Sequence, residues 1–204
     1  MTMMALCDGG LAMKRRICPR CGSKDTAKIL WGTRAFSEDL EEKLKKKETA
    51  LGSCCVSDNN PTYHCNKCKK DFGRSTSLNE TLTNSIHFCL GGYFGGYHDV
   101  TISKTITGAL IEYRPPIGAK DATPIVKEIL SVDWMSFVSD LYRCYVSDWK
   151  NHYVDPDILD GTQWELEIVF EDQSIMKRHG SNAYPPHWKK FISVFKEYIS
   201  AEIK

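Results

Sequence analysis

Cys18-Pro19-Arg20-Cys21-Gly22, answered by Tyr63-His64-Cys65-Asn66-Lys67-Cys68, is the stretch from which the rest of the chain is read. Each half carries a Cys-x-x-Cys pair beside small or turn-forming residues. Two residues between cysteines let one tight turn aim both sulfurs at a single ion. Two such turns close a tetrahedral shell of soft thiolates, the ligand set that zinc prefers. The spacing predicts one structural Zn²⁺ held by Cys18, Cys21, Cys65 and Cys68, with no vacant position for a substrate. Cys54, Cys55 and His64 are the competing ligands. The stretch from Cys21 to Cys65 is long for a minimal finger, and a helical insert within it accounts for the length.

Reading outward, residues 1–16 form a flexible tail, and Met13, followed at once by Lys14-Arg15-Arg16, offers a second candidate start beside Met1. Thr26 to Trp31 reads as a strand. Ser37 caps a helix over Glu38 to Glu48 whose acids come first and lysines last, the order that suits the helix dipole. Only Leu40 and Leu44 face inward on it. Residues 51–56 read as a further strand, and the second knuckle follows. Arg74 to Glu80 lacks a hydrophobic pattern and marks the boundary between a zinc ribbon over 17–74 and a second domain over 81–204.

In that second domain Ile86, Phe88 and Leu90 alternate with polar residues, and Val100 to Tyr113 suggests two more strands of an antiparallel meander. Thr123-Pro124 opens a short helix over Ile125 to Leu130, with Pro at its first position. Ser131 caps a longer helix whose stripe of Trp134, Phe137, Val138, Leu141, Tyr142, Tyr145 and Trp149 spans four turns. Asp155 to Gly161 is a turn-rich loop. Trp164 to Phe170 is a half-buried strand with a partner ending near His179, and Trp188 to Ile199 is the last helix. The expected fold class is α+β: the ribbon, then a mainly antiparallel sheet of roughly five strands with two or three helices on one face.

Composition narrows the functional classes. No apolar run approaches the ~20 residues of a membrane span. Met1 to Met13 lacks a basic residue ahead of its apolar stretch, which Asp8, Gly9 and Gly10 interrupt, so it does not read as a signal peptide. Nine cysteines, an odd count, argue against a disulfide framework and for reduced thiols in the cytoplasm. Residues 14–74 carry 15 Lys and Arg against 8 Asp and Glu, a net +7, whereas residues 75–204 carry 12 against 17, a net −5. A basic module is joined to an acidic one.

Three groups of residues are candidate sites beyond the metal. Arg15, Arg16, Arg20, Lys67, Lys69, Lys70 and Arg74 surround the knuckles, with Trp31, Tyr63 and Phe72 among them. Basic side chains interleaved with aromatics suit phosphate contact and base stacking, and the competing reading is solvated lysines around an aromatic mini-core. Asp155, Asp157 and Asp160 with Glu165 or Glu167 offer carboxylates for a catalytic metal, although the EF-hand frame fails at Leu159 and Leu166. Asp160, Gln163, Ser181 and Asn182, beside the Gly180–Pro186 loop, are the candidate ligand loop. The Gly91–Gly96 run matches neither phosphate-binding fingerprint and reads as a bend between strands. Cys144, inside a helix, reads as a buried thiol.

The two knuckles, with Leu30-Trp31-Gly32 and Gly52-Ser53-Cys54-Cys55-Val56 between them, resemble the zinc-ribbon segment at the front of many uncharacterised bacterial proteins, over about residues 17–73. Asp160-Gly161-Thr162-Gln163-Trp164 and Gly180-Ser181-Asn182-Ala183-Tyr184-Pro185 are similar to runs in proteins of the same sort. The resemblance implies a bacterial cytoplasmic zinc protein and brings no activity with it. The leading expectation is a non-catalytic interaction protein whose basic ribbon docks a protein or nucleic acid. A metal-dependent hydrolase or nuclease using Asp155 to Glu167, and a small-ligand sensor using Gly180 to Pro186, are the alternatives.

Overall fold

A computed structural model of the chain describes residues 16–73, 77–92, 94–117, 119, 123–158 and 160–199. The N-terminal part is a four-stranded sheet. In β1 (Thr26–Leu30) Ala27 and Ile29 are buried and Lys28 is exposed, the alternation of a half-buried strand. The chain then enters α1 (Glu38–Lys45), where Ser37 Oγ accepts a hydrogen bond from the Leu40 N–H at 3.2 Å. Three i,i+4 pairs, Lys43–Asp39, Lys45–Glu41 and Lys46–Glu42, run along its exposed side. Pairs this exposed add little in water, and Leu40 is the one buried residue of the helix.

The helix returns the chain to β2 (Thr49–Leu51), which pairs parallel to β1. Parallel neighbours need a crossover connection, and α1 supplies it. β3 (Tyr63–Cys65) and β4 (Asp71–Phe72) complete the order β2-β1-β3-β4. Two expectations shift here. The helix ends at Lys45 rather than Glu48, because Lys47 turns into left-handed backbone at φ 55°. The strand sits at 49–51 rather than 51–56, because Gly52 lies against the Trp31 ring, where an added Cβ would come within 2.5 Å of the indole.

After α2 (Ser77–Leu82) comes a seven-stranded sheet. Its strands are β5 (Thr83–Gly92), β6 (Gly96–Lys104), β7 (Gly108–Arg114), β8 (Ile125–Leu130), β9 (His152–Val154), β10 (Gln163–Phe170) and β11 (Ile175–Ser181). Their order is β8-β7-β6-β5-β10-β11-β9, and every pair is antiparallel except β11 with β9. The fold is thus α+β with mainly antiparallel sheets and four α-helices among the described residues.

Seven strands replace the expected five. Ile125–Leu130, expected as a helix, is strand β8: Ile125, Lys127 and Ile129 are half-buried while Val126, Glu128 and Leu130 are exposed, a period of two. All six residues pair with β7. The other added strand, β9, lies in register with β11 and has Tyr153 as its one buried residue.

One face of the large sheet is covered by α3 (Ser131–Tyr142) and α4 (Trp188–Ile199). Ile86, Phe88 and Leu90, Val100 and Ile102, Ile111 and Tyr113, and Trp164, Leu166 and Ile168 lie in register on that face. They meet Phe137, Leu141, Phe191 and Phe195 from the helices in one continuous core. Ser131 does not cap α3. It is the first helical residue, its hydroxyl donates to the Thr107 carbonyl at 2.9 Å, and Leu130 stands in the cap position.

The apolar stripe expected to run four turns is broken after Tyr142. Tyr145 takes left-handed backbone at φ 61° and a 3-10 turn follows over Val146–Asp148. Trp149 is nevertheless buried, with its indole N–H donating to the Cys144 carbonyl at 3.0 Å.

The N-terminal part touches the rest of the chain mainly through the segments that flank its strands. Tyr153 Oη donates to the Pro19 carbonyl at 3.2 Å, Arg20 Nη1 donates to the Asp148 carbonyl at 3.4 Å, and the Gly73 N–H donates to Asp148 Oδ2 at 3.0 Å. Phe72 meets the Tyr145 ring edge-on at 6.1 Å.

Candidate metal centre

Two tight turns carry the cysteines. The first closes with the Gly22 N–H on the Cys18 carbonyl at 3.0 Å, the second with the Lys69 N–H on the Cys65 carbonyl at 2.8 Å. Gly22 at φ 72° and Lys69 at φ 57° hold the equivalent left-handed position after each pair. The turns therefore repeat one local geometry, and β1 pairing with β3 sets them face to face.

The four sulfurs converge. All lie within 4.8 Å of one another, and no other group of three or more His, Cys, Asp or Glu ligand atoms does so among the described residues. Cys18 Sγ is 3.7 Å from Cys68 Sγ, and Cys21 Sγ is 3.6 Å from Cys65 Sγ. A tetrahedron with metal–sulfur bonds near 2.3 Å has edges of about 3.8 Å. These separations fit one ion at the centre and are far too long for disulfides, whose S–S bond is about 2.05 Å. Cys18 and Cys65 are fully buried, with Phe72 packed on them.

Backbone dipoles point at the sulfurs. The N–H groups of Arg20 and Cys21 reach Cys18, and those of Lys67 and Cys68 reach Cys65. At Cys18 burial dominates and pushes the thiol up to about 12. Burial is the largest single influence at Cys65 too and acts upward, but the N–H groups of Cys68 and Lys67 together with the neighbouring Cys21 and Cys68 side chains leave that thiol lowered. Four sulfurs this close cannot all carry charge unless a cation sits among them, and the N–H groups stabilise the charged form that a metal requires.

The competing ligands lie elsewhere. Cys54 and Cys55 are exposed, and His64 Nδ1 is 2.6 Å from Asp71 Oδ1. The basic ring around the knuckles divides. Arg15 and Arg74 lie outside the described residues. Arg16 bonds the Tyr63 side chain and feels the Tyr145 hydroxyl, both of which raise its pKa. Arg20 reaches across to Asp148. Lys67, Lys69 and Lys70 are exposed and lie together after the second knuckle. The aromatics turn inward: Phe72 is fully buried, Tyr63 stacks on it at 5.4 Å, and the Trp31 indole N–H donates to the Pro61 carbonyl at 2.8 Å.

The acidic stretch does not converge. Asp155 Oδ1 accepts the Asp157 N–H in a local turn, and Glu167 pairs with Lys177 at 2.5 Å. Gln163, Ser181 and Asn182 do come together, mainly through bonds to one another and to loop backbone. Gln163 Nε2 donates to Ser181 Oγ at 2.8 Å, and Asn182 Oδ1 accepts the Thr162 N–H at 2.8 Å.

Asp160 is exposed and faces a cavity of about 410 Å³, which it shares with Gly161, Thr162, His98, Pro116 and the tip of the Gly91–Gly96 hairpin. Sequence reasoning missed that the hairpin and the 160–162 loop are neighbours. Their shared wall arises because Gln163 pairs with Gly91 across β10 and β5, a register that no local signal announces. Comparison of the chain with protein-family models and with curated proteins gives no match.

Proposed function

We propose that Cys18, Cys21, Cys65 and Cys68 hold one Zn²⁺ as a structural ion, and that the chain is a non-catalytic interaction protein. Its N-terminal module docks an anionic partner, protein or nucleic acid, through Lys67, Lys69 and Lys70. What supports the reading is the closed shell of four sulfurs at tetrahedral spacing. Such a shell leaves no position for a substrate or an activated water. The ion's part is to tie two distant turns together, so that binding energy becomes folding energy in a module whose own core is small.

The partner surface is narrower than the basic composition implies. Arg16 and Arg20 face Tyr63 and Asp148, and Phe72 and Tyr63 pack together, so base stacking on those rings has no support. Charge recognition by the exposed lysines remains, in a reducing compartment where the thiols stay free to bind metal.

Two measurements test this. Metal analysis of protein purified without added metal should give one zinc per chain, and Co²⁺ exchanged into it should show the absorption of tetrahedral thiolate coordination. Binding to labelled duplex and single-stranded nucleic acid across a salt series should show a log–log slope near −3 if three phosphates are contacted, at roughly −0.9 each for duplex. That slope should vanish in the Lys67→Glu, Lys69→Glu, Lys70→Glu variant. A flat, weak response ends the nucleic-acid branch of the reading. A water-bound or three-cysteine metal would overturn the non-catalytic reading.

A further inference from the structure

The cavity between the Gly91–Gly96 hairpin and the Asp160–Thr162 loop lies apart from the cysteine module, and the proposed function makes no use of it. Its volume of about 410 Å³ falls in the range of small-molecule sites, roughly 300–1,000 Å³. Its rigid side is built from backbone. Gly92 approaches Gly161 so closely that an added Cβ would sit 2.7 Å from the Gly161 carbonyl oxygen. The Asn182 side chain pins the loop through the Thr162 N–H. Asp160 is therefore carried on a braced turn, and among the described residues its carboxylate has no ion pair or hydrogen bond.

The lining has a definite chemistry. Asp160 is the one carboxylate, and no Lys or Arg stands beside it among the described lining residues. His98 shares a hydrogen bond with Tyr113, Nδ1 to Oη at 2.9 Å, and burial lowers its pKa, so at neutral pH it adds no positive charge. Phe94, 91% exposed at the hairpin tip, and Pro116 supply apolar walls. A carboxylate beside an aromatic face recognises ammonium groups by charge and by the ring quadrupole. An anion would meet Asp160 with no Lys or Arg among the described lining residues to offset it.

We propose that this cavity binds a small organic cation, an ammonium group on a compact apolar body, with Asp160 meeting the charge and Phe94 covering the body. The test uses the full, zinc-loaded chain. Choline, agmatine and cadaverine serve as cation probes, with adenosine monophosphate and succinate as anions, measured by calorimetry and ligand-detected NMR. At least one cation should bind at millimolar concentration or below, and the anions should not. Asp160→Asn should weaken that binding about tenfold, the size of one charge-assisted contact, and Phe94→Ala should weaken it by a smaller factor. Both side chains are exposed, so circular dichroism of the variants should match the parent. Absence of cation binding, preference for the anions, or binding unchanged in both variants would overturn the proposal.

Discussion

Single residues show how tightly the large domain is specified. Gly180 lies beneath the Trp164 indole: a Cβ there would approach ring atoms at 2.3 and 2.5 Å and the Ala183 carbonyl oxygen at 2.7 Å. The same indole donates its N–H to that carbonyl at 2.9 Å, so the ring has no room to withdraw. Gly180→Ala should destabilise the domain by about 2–3 kcal/mol through overpacking, read as a lower urea midpoint.

Tyr142 and Cys144 make a second case. Burial pushes Tyr142 from its ordinary 10.0 to about 12 and Cys144 from 9.0 to about 11. Both are acids whose folded pKa lies above the unfolded one, so folding holds protons that the unfolded chain releases. Their contribution is fully present below pH 9 and is lost as pH rises through 11 and 12. Urea titrations across that window should show stability falling by about 2–3 kcal/mol for each group, with the upper part of the fall removed in Tyr142→Phe. Iodoacetamide gives an independent reading of exposure. In the metal-loaded native state, among the described cysteines, Cys54 and Cys55 should be modified first and Cys144 only on unfolding, as peptide mass spectrometry would show.

At the scale of elements, β8 is the edge that most needs protection. Val126, Glu128 and Leu130 are exposed on it, and its outer hydrogen-bonding side faces away from β7. Residues opposite each other in an antiparallel pair share a face. Two copies of β8 meeting about Lys127 therefore place lysine against lysine, and meeting about Glu128 place glutamate against glutamate. Like charges in such positions repel. Glu128→Val removes one of the two barriers and leaves a continuous apolar row. It should cause concentration-dependent association, visible as a rising weight-average mass in light scattering.

The same strand shows why sequence reading succeeded in some places and failed in others. Ile86 to Leu90 and Trp164 to Phe170 announced themselves because alternation over five or more residues has no helical equivalent. Ile125 to Leu130 is six residues long behind a proline, short enough for its apolar positions to suit either period, and only pairing with β7 decides the matter. The end of α3 was hidden for another reason. It depends on a left-handed Tyr145, a conformation that tyrosine seldom adopts and that packing against Phe72 and His187 accompanies here. The cysteine cluster needed no tertiary information, since its ligand spacing is local, whereas the cavity at Asp160 depends on strand register.

Across the whole molecule, part of the charge asymmetry is internal. The basic module sets Arg20 and the Gly73 N–H on the backbone and carboxylate of Asp148 in the acidic domain, so some of its positive charge serves that contact. The two parts still differ in what holds them. The large domain has a continuous core of aromatic and aliphatic side chains, while the smaller core centres on Cys18, Cys65 and Phe72. A strong chelator should therefore unfold the N-terminal sheet and leave the seven-stranded one standing. Hydrogen exchange should show protection lost over residues 26–72 and reduced over 145–153, with α4 and β10 unchanged. Fluorescence should change little, because four of the five tryptophans, Trp134, Trp149, Trp164 and Trp188, belong to the large core.

The carbonyl of Pro19 receiving the Tyr153 hydroxyl carries a practical corollary for dissecting the chain. A fragment begun at Ser77 would keep every strand of the large sheet yet uncover a wet aromatic scar, where the Tyr145 ring loses Phe72, the Tyr153 hydroxyl loses the Pro19 carbonyl and the Asp148 carboxylate loses the Gly73 N–H. Such a piece would be sticky and poorly behaved in isolation. Adding back the separately prepared, metal-loaded front portion should restore its solubility in trans.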